Sequence, residues 1–364
     1  MSSNAKTRFT LIAYTQYLKG IKKMNPMFRQ GAVLQNLAEK TWLISPGNTT
    51  ISSKAYFLEG QLDRITGTAY TDDPKAIMQG GTVITHEPTY AYKLRNLWMI
   101  NGSVYKGLNN FLFHHRSKLT KKMNYFPPVK INREIENASI YSSYDGNEFF
   151  GLWLTDDCTN YRLAEEEGTP VSTNVFASPH MLEYESLLEM NPFRTNAAYL
   201  KNAVFFDDDW GNNDRKKELF TANKRKLLSH FNGISHPGVF ILRRGSGKTR
   251  ILLNEIEIAE QLREKYGFKI VDVTQNTVSE ILEACVGAKI LIGIEGSHLM
   301  HGLVVLEPGT SILTLQPPNR FCGVLKITTD MQNINYSFVV GTPKGENFII
   351  DFDEVERTLD LLPA

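Results

Sequence analysis

Few cysteines, no excess of either charge and no long apolar run mark this 364-residue chain, and each shortage excludes a class of protein. Its three cysteines, Cys158, Cys285 and Cys322, are odd in number and far apart. A disulfide framework or a structural zinc site is therefore not expected, and a reducing, cytoplasmic setting is. Lys and Arg total 40 against 39 Asp and Glu, a net charge of +1, so the basic surplus of a dedicated nucleic-acid binder is missing. No stretch approaches the roughly 18 apolar residues of a membrane span, and no secretory leader is read at the amino terminus. Asp207-Asp208-Asp209 is the one acidic run that could pose as a metal site, and a solvated loop is the better reading of it. No internal repeat or low-complexity tract is present.

What is present suits two domains, since the length lets each bury a core of its own. The first 30 residues set Lys6, Arg8, Lys19, Lys22, Lys23 and Arg29 among Leu11, Ile12, Tyr14, Tyr17, Leu18 and Ile21. Such a basic amphipathic segment can lie on an anionic membrane surface or pack on its own protein. From Thr41 to Ile131 the pattern is β, with TWLISPG, ISSKAYFLEG, GTVITHE, TYAYKLRNLWMING and SVYKG broken by Pro, Gly and Asn, which predicts strands and hairpins. The turn around His114-His115-Arg116 and Lys118–Lys122 reads as a basic, solvated loop. An alternation of strands and helices begins near Ile140, including a helix over FFGLWLTDDCTNYRLAEEEG. Asn232, Gly233, His236, Pro237 and Gly238 cluster as a hinge between a first domain, 1–235, and a second, 236–341. Residues 342–364 predict a strand and a helix.

The second domain carries the chemistry. GVFILRR, FKIVDV, KILIGI and SILTLQ are short Ile/Val/Leu-rich runs separated by LLNEIEIAEQLREKYG, VSEILEACVGA and SHLMHGLVVL. That alternation predicts a parallel sheet covered on both faces, with ligands at the carboxyl ends of its strands. One such end presents Arg243-Arg244 followed by GSGKTR and Asn254-Glu255. Another presents Gly293-Ile294-Glu295-Gly296-Ser297-His298, where Gly296 permits close backbone approach and Ser297 can cap a helix. A third runs Leu315-Gln316-Pro317-Pro318-Asn319-Arg320. Arginines, a glutamate and a helix start on one edge describe a site for an anion bearing a sugar-like polar group.

Two other motifs fail on spacing. Gly245-Ser246-Gly247-Lys248-Thr249 ends like a phosphate-binding loop, but the position that must be glycine, 242, is Leu. Gly293-x-x-Gly296 lacks the Gly-x-Gly-x-x-Gly of a nicotinamide fingerprint.

The order strand-Arg243-Arg244, Arg250, Asn254-Glu255, Gly293-x-Glu295-Gly296-Ser297-His298-Leu299 and Glu307-Pro308-Gly309 resembles the carboxyl-terminal domain of family 61 glycosyltransferases, over about 80 residues. The bacterial members are often described as capsular polysaccharide biosynthesis proteins. The resemblance implies a GT-B-like α/β fold, two Rossmann-like domains facing a cleft, here with extra β-hairpins in the amino-terminal half. It implies inverting transfer of a sugar (a 2.4-class transferase) from a nucleotide-linked donor, UDP-linked by preference, to a glycan or lipid-linked glycan. No other cofactor is implied. On that reading 1–235 is the acceptor side, 236–341 binds donor and 342–364 crosses back onto the first domain. The setting is the cytoplasm, with association at the inner face of the plasma membrane. Many members read His-Gly-Ala-Gly where this chain has Glu295-Gly296-Ser297-His298, and Leu152-Trp153 stands where His-Trp is common, so no catalytic His carries over from that pair.

Residue roles follow from the chemistry of the leaving group. Without a metal the departing diphosphate needs guanidinium groups or oriented N–H donors. Arg243, Arg244 and Arg250 suit that charge, as do the backbone N–H groups of Gly296, Ser297 and His298. Glu295 can accept from ribose or sugar hydroxyls, and Asn254 with Glu255 either lines the donor pocket or caps the helix. A base must reach the acceptor hydroxyl, and Asp156, Asp157 and His180 are the candidates, with His298 behind them. The alternatives are an inactive nucleotide- or glycan-binding protein of the same fold, and a nucleotide or sugar-phosphate hydrolase.

Overall fold

The protein, a computed structural model, is described over residues 34–69, 73–100, 103–106, 109–112, 133–173, 177–195, 197–208, 212–244 and 251–363. It forms two compact units that are each discontinuous in sequence. Unit 1 is built from the described parts of Met1–Pro46, Pro88–Ser178 and Glu189–Asp209, and unit 2 from Gly47–Glu87, Pro179–Leu188 and Trp210–Ala364. The single cut at 235/236 that composition suggests is not where the chain divides. Phe231–Gly238 lies wholly inside unit 2, because Gly233 packs on Val286 and Gly287, and His236 bonds to Gly287.

Unit 1 contains an eight-stranded sheet of β1 (Lys40–Ser45), β2 (Thr89–Ile100), β3 (Ser103–Lys106), β4 (Asn109–Leu112), β5 (Glu134–Ile140), β6 (Thr169–Ser172), β7 (Phe193–Arg194) and β8 (Ala197–Asp207). The order is β7-β6-β5-β8-β2-β3-β4, with β1 paired to β2. β5 to β8 run parallel to one another, whereas β2 is antiparallel to β8, β1 and β3. The antiparallel half is the hairpin elaboration expected from the Pro/Gly/Asn punctuation. Asn96 has φ 58°, and across it the buried positions of β2 change phase from Tyr92 and Leu94 to Leu97 and Met99. The partner β8 changes in step, from Ala198 and Leu200 to Ala203 and Phe205, so one core face survives the irregularity. The helix expected after β5 forms with a π-helical turn at Trp153–Asp157 leading into α1 (Cys158–Glu167).

Unit 2 holds five parallel strands, β9 (His236–Leu242), β10 (Lys269–Asp272), β11 (Ala288–Ile294), β12 (Ser311–Gln316) and β13 (Asn335–Val340), in the order β10-β9-β11-β12-β13. Around it run α2 (Pro179–Leu187), α3 (Asp214–Leu228), α4 (Glu255–Tyr266), α5 (Val278–Cys285), α6 (Val324–Gln332) and α7 (Phe352–Leu359). β9, from Gly238 on, and β12 are buried on both faces, which is why they read as mainly apolar runs rather than alternations, whereas the edge strand β10 is only partly buried. Phe240, Ile292, Leu313 and Val339 pack with Ile258 and Leu262 of α4 and with Phe348, Ile350 and Val355 near the carboxyl terminus. The last hairpin, Thr342–Lys344 with Asn347–Ile349, and α7 thus complete the core of unit 2, and the segment of the amino-terminal half that α7 meets, at Arg64 through Glu354, belongs to the same unit. SHLMHGLVVL gives only a 3₁₀ turn, Ser297–Leu299, and one short helix, Met300–Leu303. Gly302 sits against Leu291, where a Cβ would lie 2.6 Å from Leu291 Cδ2.

No helix among the described residues is long and apolar enough to cross a membrane. The basic amphipathic segment, the His114–Lys122 turn and Arg250 lie outside the described residues.

Candidate functional site

The order β10-β9-β11-β12-β13 places a topological switch point between β9 and β11, because the connections from those two strands leave in opposite directions. The crevice outside the carboxyl ends at such a point is where open parallel sheets bind ligands. Arg243 and Arg244 follow β9, and Glu295 to His298 follow β11. The two turns that the sequence singles out are therefore neighbours across the switch point.

Arg244 adopts φ 51°, a left-handed conformation uncommon for a side-chain-bearing residue. Glu255, at the first turn of α4, holds it there. Its carboxylate accepts from the backbone N–H of Arg243 at 2.6 Å and of Arg244 at 3.3 Å. Burial pushes the Glu255 carboxyl above its ordinary pKa, opposed by those two N–H groups and by both guanidinium charges. The side chains of the two arginines then diverge. Arg244 Nε donates to Asp272 Oδ2 at 3.0 Å from an exposed position. Arg243 is buried, 3 % exposed, and burial holds its guanidinium below the ordinary pKa, opposed by the charges of Glu295 and Glu255 and reinforced by that of Arg320.

Glu295 is the buried centre of this edge, at 5 % exposure. Arg320 Nη1 lies 3.7 Å from its Oε2. Burial drives the carboxyl up to about 7, although a hydrogen bond from Cys322 and the Arg243 charge both pull it down. Arg320 is placed by a rigid loop after β12. Gln316 is fully buried, donates to the Cys322 carbonyl at 2.9 Å and accepts from the Cys322 N–H at 3.2 Å. Thr66 and Gly67 donate to Pro318 O at 2.8 and 3.2 Å, and a Cβ on Gly67 would sit 2.5 Å from Asn319 O. That approach needs glycine.

The turn after β11 differs from the serine-capped helix expected. Gly296 occupies the cap position, with φ 155°, and no side chain caps the 3₁₀ turn that Ser297 begins. His298 is buried and turned toward the sheet: burial, then the charges of Arg243 and His301, takes its imidazole down to about 3. It is neutral at physiological pH and is a packing and backbone-bonding residue of this turn. Gly293 makes room for Leu299 and the Ile241 carbonyl, since a Cβ there would meet Leu299 Cδ2 at 2.7 Å and Ile241 O at 2.8 Å. His301 is likewise lowered to about 3 by burial and by His180. Its Nδ1 is bonded to Tyr184 OH at 2.9 Å.

Tyr184 belongs to α2, which braces this side of unit 2. Glu183 accepts from the backbone N–H groups of Val278 and Ser279 at 2.9 and 2.8 Å and from Ser279 OH at 2.7 Å, capping α5 from another element. Burial resists its ionisation, but the bonds from Ser279 and Val278 hold its carboxyl below the ordinary value. His180 Nε2 is bonded to Asn276 O at 3.1 Å and its ring meets His301 edge-on at 5.1 Å.

The structure thus brings together Arg243, Arg244, Glu255, Glu295, Gly296, Ser297 and His298. Asn254 serves the framework instead, because its amide bonds both ways with Ile350, at 2.8 and 3.2 Å, and pins the terminal hairpin beside α4. Asp156 and Asp157 are in unit 1. Asp157 is fully buried and accepts from Ser143 N–H at 2.9 Å, which gives it a structural partner, while Asp156 is half-buried. In the acidic run, Asp207 accepts from Tyr92 OH at 3.2 Å and Asp208 from Thr89 at 2.7 Å, as residues ending a strand do. Arg320, Gln316 and Asp272 join the edge without having been given a role by the sequence; each stands at the carboxyl end of a strand, and that position was their only signal.

A parallel sheet whose switch point gathers arginines around a buried carboxylate defines an α/β protein with a charged crevice at the carboxyl ends of its strands. The Glycosyltransferase 61 family model matches residues 82–313, well over half of the chain, and the chain belongs to this family. It is a glycosyltransferase, acting on a sugar donor and an acceptor. The match takes in all of β2 to β8 of unit 1 as well as the turns after β9 and β11. A comparison with curated proteins gives no match.

Proposed function

We propose that the chain is an inverting, metal-independent glycosyltransferase of GT-B type that binds a nucleotide-linked sugar, UDP-linked first among the classes, at the switch point of unit 2. The observation that carries the reading is the buried Glu295 carboxylate with Arg320 Nη1 3.7 Å away and the Arg243 charge acting on it. Two guanidinium groups match the charge that grows on a departing diphosphate, and a carboxyl near neutrality can accept from a ribose or sugar hydroxyl. Arg250 and the N–H groups of Gly296 to His298 complete the anion site in this reading. Inversion is one displacement: the acceptor oxygen bonds to C1 as the bond from C1 to the diphosphate oxygen breaks, and the hydroxyl proton passes to a base. Asp156 and Asp157 are the first candidates for that base, with His180 and His298 after them. The acceptor is a glycan or lipid-linked glycan of bacterial surface polysaccharide, met at the cytoplasmic face of the membrane.

A thermal-shift screen against UDP-, GDP-, CMP- and dTDP-linked sugars, with and without EDTA, tests this, because a ligand bound only by the folded state raises Tm by mass action. One nucleotide class should raise Tm, unchanged by EDTA, and Arg320→Gln and Arg250→Ala should each abolish the rise. A folded protein that responds to none of them refutes the donor assignment.

A further inference from the structure

Unit 1 has a groove of ≈ 210 Å³ that the donor reading does not use. Lys40 and Trp42 line it from β1, Lys93 from β2, Asn137 from β5, Asn202 from β8 and Glu167 from the end of α1. Strand register explains the convergence. Lys40 and Trp42 are two apart on one face of β1, Lys40 is paired with Lys93, and Asn202 is paired with Asn137. Lys40 Nζ stands 5.2 Å from the Trp42 ring centroid.

The polar groups here are not engaged as their neighbours are. Lys201 is paired with Glu134 and Glu136, and Arg95 with Glu39, so those charges are neutralised in place. Lys40 and Lys93 have no carboxylate partner among the described residues. Asn202 donates one amide N–H to Glu136 O, which leaves its carbonyl for a ligand. A half-buried indole beside two ammonium groups, two amides and one carboxylate combines a flat apolar surface with donors and acceptors suited to hydroxyls. The balance of charge is positive.

We infer that this groove is a second carbohydrate-binding site, for an acidic sugar residue that lies along Trp42, gives its carboxylate to Lys40 and Lys93, and bonds its hydroxyls to Asn137, Asn202 and Glu167. It rests on the glycosyltransferase family only for the existence of a glycan acceptor, and on the donor assignment not at all. The volume fits one sugar ring rather than a polymer, and the open rim lets the rest of a glycan run out along the sheet.

Isothermal titration with trigalacturonic acid, and with neutral maltotriose as control, tests it. The acidic trisaccharide should bind at least about tenfold more tightly than maltotriose, because two charge-assisted bonds separate them. That preference should shrink between about 50 mM and about 500 mM salt, where exposed charges are screened. Trp42→Ala should lose binding, and Lys40→Gln with Lys93→Gln, a surface change that spares the core, should weaken the acid about tenfold while leaving Tm and maltotriose binding unchanged. Equal affinity for the two sugars, undiminished binding in the lysine variant, or no binding of the acid by folded protein would each overturn the assignment. A nucleotide-sugar Tm shift measured on the same sample separates the two claims. A shift without trigalacturonate binding refutes only the groove, and the reverse refutes only the donor site.

Discussion

Lys224 offers a measurement whose size follows from its surroundings. It lies on α3 and is 8 % exposed, and its ammonium donates to Leu306 O and to Gln332 Oε1, both neutral acceptors. No carboxylate pairs with it among the described residues. Burial lowers its pKa from 10.5 to about 8, with the Glu307 charge resisting. In the unfolded chain the amine keeps its ordinary value, so between pH 8 and 10.5 the unfolded state binds more protons and stability rises with pH. Below pH 8 the amine is charged in both states, and its burial subtracts from stability in full. At roughly 1.4 kcal/mol per pH unit the whole effect is on the order of 3 kcal/mol, of which about 2 kcal/mol is recovered by pH 10. Urea unfolding from pH 7 to 10, for the wild type and Lys224→Met, isolates it, because every other titrating group is common to both. The wild type should gain about 2 kcal/mol relative to the variant across that range. Parallel profiles would show that the amine is solvated or paired in the folded state, and the reasoning would fail.

Two further outcomes are expected. Glu295, ionising near 7, should oppose an anionic donor once charged, so donor affinity should fall as pH rises from 6 to 8, and Glu295→Gln should flatten that profile; a pH dependence identical in the two proteins refutes a carboxyl at the donor site. Glu183→Ala removes three hydrogen bonds from the start of α5 and should cost about 1–3 kcal/mol in chemical denaturation. A loss below a few tenths would mean that water caps that helix as well.

Much of unit 2 is legible in the sequence because a doubly covered parallel strand is mainly apolar, and β9, β11 and β12 carry runs such as GVFIL, ILIGI and SILTL. The fifth strand, β13, escaped notice since NYSFVV carries Asn, Tyr and Ser, whose burial is offset only by tertiary partners such as Thr314 and Gln316 bonded to Tyr336 OH. The left-handed Arg244 could not be foreseen either. It exists because Glu255, eleven residues on, reaches back to both backbone N–H groups.

Sequence alone determined the class of the sheet, the turns that hold its charged residues and the family resemblance, all of which depend on local period and residue type. Tertiary structure alone decided which turns meet, because strand order is a property of long-range pairing. It separated Arg243 from Arg244, gave Asn254, Asp157 and His298 to the framework, and brought Arg320 to Glu295. It also made each unit from distant segments, since Gly47–Glu87 and Pro179–Leu188 find their burial on a sheet that begins at His236. No local pattern encodes such a choice; it is set by where apolar area and backbone hydrogen bonds can be satisfied together.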